Sequence, residues 1–249
     1  MKNNRKNALI FLLFLAITSF TYGQKYLEKG TIQINKRKQI EAYISIDYTF
    51  PQRFQNSITY ITPKDYEKYL KKGKVKNKNR IKLKLNDFEG FTLENGKKFT
   101  VVKYVDLTKK KLGLLPKRLC LEQIAEGKIN AYKFYSRTTG KVSKELGDIF
   151  MDSRTKGDQM LIDYIQDNFQ ILVQKEKDKN PRNIMHINLL NFIGDNERVK
   201  NNYDNNHYGF RNQFTERQKF GVIVNKEYEA AFLKMVDDYN NDAPGITGK

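Results

Sequence analysis

Phe91-Thr92-Leu93-Glu94-Asn95-Gly96-Lys97-Lys98-Phe99, continued by Thr100-Val101-Val102-Lys103-Tyr104-Val105-Asp106, is the stretch on which the fold turns. Apolar and polar residues alternate on both sides of Asn95-Gly96, and a period of two sends successive side chains to opposite faces of a strand. Asn and Gly both tolerate positive φ, so the pair predicts a type I′ hairpin joining strands Phe91–Glu94 and Phe99–Asp106. The same alternation marks Thr31–Asn35, Ile40–Tyr48, Ser57–Thr62 and Ile81–Leu85 upstream. Downstream, Leu119–Ala125 and Lys128–Ser136 flank Glu126-Gly127 and predict a second hairpin. A competing reading opens a short helix after Pro116. Pro63–Leu70, with proline in first position, predicts a helical turn. From Thr31 to about Phe150 the chain therefore reads as antiparallel sheet.

Beyond Asp158 the apolar period lengthens towards 3.6. Leu161, Ile165, Phe169 and Leu172 form one stripe, widened by Ile162 and Val173, with Asp158 available as the cap. Asn180-Pro181 starts a second predicted helix carrying Ile184, Ile187, Leu190 and Phe192 up to Gly194. A third follows Asn225, with Tyr228, Ala231, Phe232, Met235, Val236 and Tyr239 on one face. The expected class is α+β, an antiparallel β-rich half at residues 24–150 followed by about three amphipathic helices within 151–240. A boundary falls near Lys141–Gly157, although the two parts are free to share one core. Asp195–Lys219, rich in Asn, Asp, Arg and Gln, is expected to be a long loop, and residues 241–249 a flexible tail.

The 249 residues are 39% hydrophobic and 30% charged, a mix that excludes collagen-like and fully disordered chains. Lys2, Arg5 and Lys6 precede an uncharged apolar run from Ala8 to Phe20, with Thr21 and Gly23 as short residues before Gln24. That pattern predicts a signal peptide over residues 1–23, since a spanning helix needs roughly 20 apolar residues. No later stretch reaches that length, so no transmembrane span is expected once the leader is removed. The formal charge is +18, and the leader contributes only three basic residues to it. Basic charge of this size favours anionic partners and says nothing about fold. Cys120 is the single cysteine, so no internal disulfide is available in an oxidising compartment, and it reads as a small buried apolar residue.

"LNDFEGFTLENGKKF" from Leu85 to Phe99, "LCLEQIAEGKINAYKFY" from Leu119 to Tyr135, and a terminal helix ending "DDYNND" together resemble a group of uncharacterised secreted proteins of Bacteroidota-type bacteria. Those proteins combine a signal peptide, a β-rich half with Gly-aromatic and Asn-Gly turns, a second hairpin at "EGK", and a helical end. The resemblance implies an exported or envelope protein in the periplasm, the cell envelope or outside the cell. It supplies no catalytic residue.

Chemistry-bearing residues are led by Lys74, Lys76, Lys78, Arg80, Lys82 and Lys84, a cation at every even position. On one continuous strand they would line a single face at about 7 Å intervals, with Ile81, Leu83 and Leu85 towards the core. Lys64, Lys68, Lys71 and Lys72 extend the basic region upstream, against Asp65 and Glu67. Lysines on an exposed edge also keep strands from pairing with neighbours, and a solvated face must be polar in any case. Tyr60, Tyr66 and Tyr69 lie close enough to stack on a ligand or simply to pack.

His186 and His207 have no second His or Cys at ligand spacing, so no metal and no cofactor are expected. No G-x-S-x-G, H-E-x-x-H or phosphate-loop motif occurs, and no catalytic residue is assigned. The expectation is a non-enzymatic binding module whose basic face meets an anionic envelope component, whether lipid headgroup, polysaccharide or protein. Nucleic acid is not the expected partner, because an exported chain seldom meets it. The alternative is an exported hydrolase of an envelope polymer using carboxylates from Asp87, Glu89, Asp195 or Glu197.

Overall fold

The computed structural model describes residues 27–105, 116–136, 154–167, 169–210 and 226–241. The leader at residues 1–23, most of the boundary region 141–157 and the tail from 242 lie outside them. Ten strands are described: β1 (Leu27–Asn35), β2 (Lys38–Ser45), β3 (Ser57–Ile61), β4 (Ile81–Lys84), β5 (Gly90–Leu93), β6 (Lys98–Tyr104), β7 (Lys117–Ala125), β8 (Ile129–Phe134), β9 (Gln170–Lys175) and β10 (Arg182–Asn183). They form one sheet in the order β4-β3-β2-β1-β5-β6-β7-β8-β9-β10, every neighbouring pair antiparallel. Two meanders thus grow outward from the β1–β5 pair in the middle.

The turn between the meanders constrains the sheet's shape. Glu89 already bonds Gln33 and Val101, so the chain returns from edge strand β4 to the centre within residues 85–88. Five Cα steps reach at most about 18 Å. Four strand spacings of a flat sheet cover about 19 Å. The β1–β4 leaf therefore rolls inward over the core, and Phe88 on the connection is buried there.

Helices α1 (Gln52–Asn56), α2 (Pro63–Lys72), α3 (Arg154–Asp167), α4 (Leu189–Ile193), α5 (Glu197–Asp204) and α6 (Lys226–Asn240) complete the mixed α+β architecture. Ile32, Ile44, Ile58, Phe99, Ile129 and Ile171 project from the inner sheet face into one continuous core. Phe54 of α1, Ile165 of α3, Ile193 of α4, Val199 of α5 and Phe232 of α6 meet them there. All six apolar positions expected on the last helix are buried. A smaller cluster, Val102, Tyr104, Leu119, Leu121, Tyr132 and Leu172, occupies the outer face of β6–β9.

Several expectations change. The stripe read as one helix through Leu172 is α3 to Asp167 and then β9: Ile171 and Val173 enter the main core while Leu172 faces the outer cluster, which only strand alternation allows. Helix α3 already runs at Arg154, so Asp158 is not its cap. The helix expected after Pro181 is instead β10, a 3₁₀ turn at Ile184–His186 and the short α4. Asn183 and Asn188 side chains accept from the amides of Met185 and Asn191, breaking the segment into locally capped pieces. Part of the loop expected at Asp195–Lys219 is α5, capped by Asn196. At Asn95-Gly96 only Gly96 has positive φ, 86°. Gly96 N–H donates to Leu93 O at 3.0 Å and Leu93 N–H to Lys97 O at 2.9 Å, a type I turn closed by a left-handed glycine rather than type I′.

Candidate functional site

The six-cation row does not exist as one strand face. Gly73 ends α2 in a left-handed conformation (φ 67°) and turns the chain back. Lys74 and Lys76 follow it outside any helix or strand, Lys78 sits in a 3₁₀ turn at Asn77–Asn79, and Arg80 is the residue after that turn. Asn79 donates to Asp65 at 2.8 Å and ties the turn to the start of α2. Only Lys82 and Lys84 lie on β4, opposite Thr59 and Ser57. Leu83 and Leu85 pack against the core, whereas Ile81 is 38% exposed. The nearby tyrosines are occupied by packing: Tyr66 stacks on Tyr43 at 3.5 Å between ring centres, and Tyr60 and Tyr69 are buried.

Folding gives two of these cations a shared destination. A cavity of about 440 Å³ opens where β2, β3 and β4 meet α1. Strand register puts Ser45, Thr59 and Lys82 on one face, since Tyr43 pairs with Ile61 and Thr59 with Lys82. Arg80 joins them from the start of β4, and Arg53 and Asn56 close the cavity from α1. Arg53 lies over the Phe50 ring at 4.4 Å and stands 3.6 Å from Asp47. Asp47 is already engaged, accepting from the amide and the hydroxyl of Thr49. Among the described residues neither Arg80 nor Lys82 has an acidic partner. Three cations, one acid and several hydroxyl and amide groups therefore line a space suited to a phosphate or carboxylate. Guanidinium forks add bidentate geometry to the point charge of the lysine.

The carboxylates considered for hydrolysis do not converge. Asp87 accepts from the Lys84 amide at 2.8 Å and Glu89 precedes β5 at the sheet centre. Asp195 is on the far meander, with Lys175 of β9 on one oxygen at 2.7 Å and the Tyr239 hydroxyl on the other at 2.8 Å. Burial alone would raise the Asp195 carboxyl, but those two partners outweigh it and hold it below the usual carboxylate range. Glu197 begins α5.

Sequence reading missed an ionisable cluster at the rim of the core. The Tyr135 hydroxyl donates to Glu122 at 2.8 Å, Lys97 Nζ lies 3.1 Å from the Tyr48 hydroxyl and 3.9 Å from Glu122. Glu28, bonded by Asn95 at 3.0 Å, is raised by burial against the lowering pull of Lys97. Glu122 hid in the sequence because β7 buries both of its faces over Leu119–Glu122. A second inward pair, Lys133–Glu229 at 2.8 Å, bridges β8 to α6. Cys120 is fully buried, and burial pushes its thiol well above the ordinary range. His186 lies in the 3₁₀ turn beside a separate cavity of about 430 Å³. Among the described residues, no three His, Cys, Asp or Glu side chains are grouped to hold a metal ion, and no helix is long and apolar enough to cross a membrane. No known protein family, characterised protein or solved structure matches the chain.

Proposed function

We propose that this chain is an exported, non-enzymatic binding module that holds a phosphate or carboxylate group of an anionic envelope component in the β2–β3–β4 cavity. The observation that carries the reading is the convergence of Arg53, Arg80 and Lys82 on one cavity where Asp47 is the single acid. Export follows from the leader pattern of residues 1–23. In this reading the remaining lysines of the 74–84 segment steer the polyanion by long-range attraction, and Arg80 and Lys82 grip it. The C-terminal helices brace the sheet that presents the cavity.

The test titrates the protein with vesicles containing phosphatidylglycerol and, separately, with a phosphate-bearing polysaccharide, across a salt gradient. The double variant Arg80→Gln/Lys82→Gln is expected to bind about tenfold more weakly, with a shallower salt dependence. Lys74→Gln/Lys76→Gln removes the same charge outside the cavity and is expected to change affinity by less than about threefold. Equal losses from the two double variants would reduce the site to diffuse attraction, and no binding to either probe would end the proposal.

A further inference from the structure

The outer sheet face carries a second cavity, of about 680 Å³, across β1, β5, β6, β7 and β8. Its floor is a gap in the carpet of side chains. Gly90 pairs with Gln33 on one side and Thr100 on the other, and Thr92 two residues on pairs with Thr31 and Lys98. No side chain can fill the gap at Gly90, because a Cβ there would come 2.3 Å from the Phe99 carbonyl oxygen. Bare backbone is thus flanked by three threonine hydroxyls.

The walls are amides held in fixed orientations. Thr100 donates to Gln123 Oε1 at 2.8 Å, Gln123 Nε2 to Asn130 Oδ1 at 3.2 Å, and Asn130 Nδ2 to the Gly127 carbonyl at 3.3 Å. On the other side Gln39 donates to Gln33 Oε1 at 2.6 Å. Lys98, the one cation in the lining, is closed against Glu126 at 2.6 Å. Tyr132 adds a further hydroxyl group to the lining. It is 4% exposed overall, and its hydroxyl, which bonds to no protein group among the described residues, stays open to solvent. Burial and the nearby Glu126 push that hydroxyl up to about 12, so at neutral pH it is a neutral donor and acceptor.

We propose that this trough binds a short, neutral oligosaccharide. Sugar hydroxyls donate and accept as threonine hydroxyls and carboxamides do, so preset side chains match them by hydrogen bonding. Lys98 is neutralised by Glu126, and the exposed Glu89 carboxylate in the lining accepts hydrogen bonds and disfavours an anionic ligand. The Tyr132 hydroxyl exchanges solvent for a sugar hydroxyl, and the bare strand at Gly90 lets the sugar ring approach closely. The volume falls within the range of pre-formed small-molecule sites. Gln39 shares its β2 face with Ser45 of the cationic cavity, so both sites open on the same side of the sheet. The inference does not depend on the anion site.

Calorimetric titration of the full chain with gluco-, manno- and N-acetylglucosamine oligosaccharides, from di- to hexasaccharide, tests it. Saturable binding to at least one series is expected, unchanged within about twofold between low salt and about 0.5 M NaCl. Tyr132→Phe and Thr92→Lys are each expected to weaken it at least tenfold. Thr92 is exposed, so its variant fills the trough without disturbing the core. Arg80→Gln/Lys82→Gln should leave this binding untouched, which separates the two sites. Absence of binding in every series, binding that salt abolishes, or full affinity in both trough variants would overturn the proposal.

Discussion

Gln55 shows how a single side chain substitutes for missing backbone. It is 1% exposed, donates to the Tyr135 carbonyl at 3.0 Å and accepts from the Tyr135 amide at 2.9 Å, closing β8's end as a neighbouring strand would. Among the described carboxylates, Glu28 is the one that burial shifts upward. Its folded-state pKa is raised, chiefly by burial, so the native state holds that proton more tightly than the unfolded chain does. The sign follows: stability gained from protonation appears as pH falls through the raised folded value, while above it the ionised group carries its full desolvation cost. Glu28→Gln is therefore expected to raise the urea midpoint at pH 7, with a gain in unfolding free energy of less than about 1 kcal/mol for a half-buried group, and to match the parent near pH 4. A lower midpoint at pH 7 would mean that attraction to Lys97 outweighs burial.

Helix α6 is joined to the β7–β8 hairpin by its last residue. Asn240 Oδ1 accepts from the Ile129 amide at 2.8 Å and its Nδ2 donates to the Ile129 carbonyl at 2.9 Å. The carboxamide sits so close to the turn that a Cβ at Gly127, where φ is 151°, would meet it at 2.7 Å. Asn240→Ala leaves two backbone groups without those partners and should cost about 1–3 kcal/mol of unfolding free energy, read by denaturant titration. Amide exchange at Ile129 should accelerate in step. A variant as stable as the parent, with Ile129 still protected, would show that water replaces the carboxamide. At the sheet edge, β4 has a different task. Lys82 and Lys84 alternate with Ile81 and Leu83 on a strand that pairs on one side only among the described residues, and charge there discourages pairing with a second sheet.

For the whole molecule, 46 basic residues against 28 acidic ones make self-repulsion a standing cost of compactness. Exposed ion pairs such as Lys29–Glu94 return little of it. Raising NaCl from about 20 to 300 mM should screen the repulsion and lift the thermal midpoint by about 2–4 °C, equivalent to ~1 kcal/mol in a chain of this size. A falling midpoint would instead mean that inward pairs such as Lys133–Glu229 govern the electrostatics.

Much of this was legible in the chain itself, and where it was not, the reason is physical. Residues 91–104 announced β5 and β6 because a half-buried strand must alternate, and the face of α6 was named residue by residue because its apolar offsets fit only one period. The charge and the basic region were equally plain. Residues 169–173 deceived because a strand buried on both faces shows no alternation, so Phe169 and Leu172 fitted a helical stripe as well. Lys74–Lys84 deceived because the alternation of cations continued through a 3₁₀ turn that nothing in their spacing forbade. Periodicity, turn residues and charge are local properties, and they determined the antiparallel strands, the terminal helix and the net basic charge. Which strands lie side by side, which cations share a cavity with Arg53, where Gly90 leaves the outer face bare, and how Glu122 comes to face Lys97 depend on contacts between residues far apart in sequence. Only the tertiary structure could decide those, because burial and cross-strand register, rather than local preference, fix them.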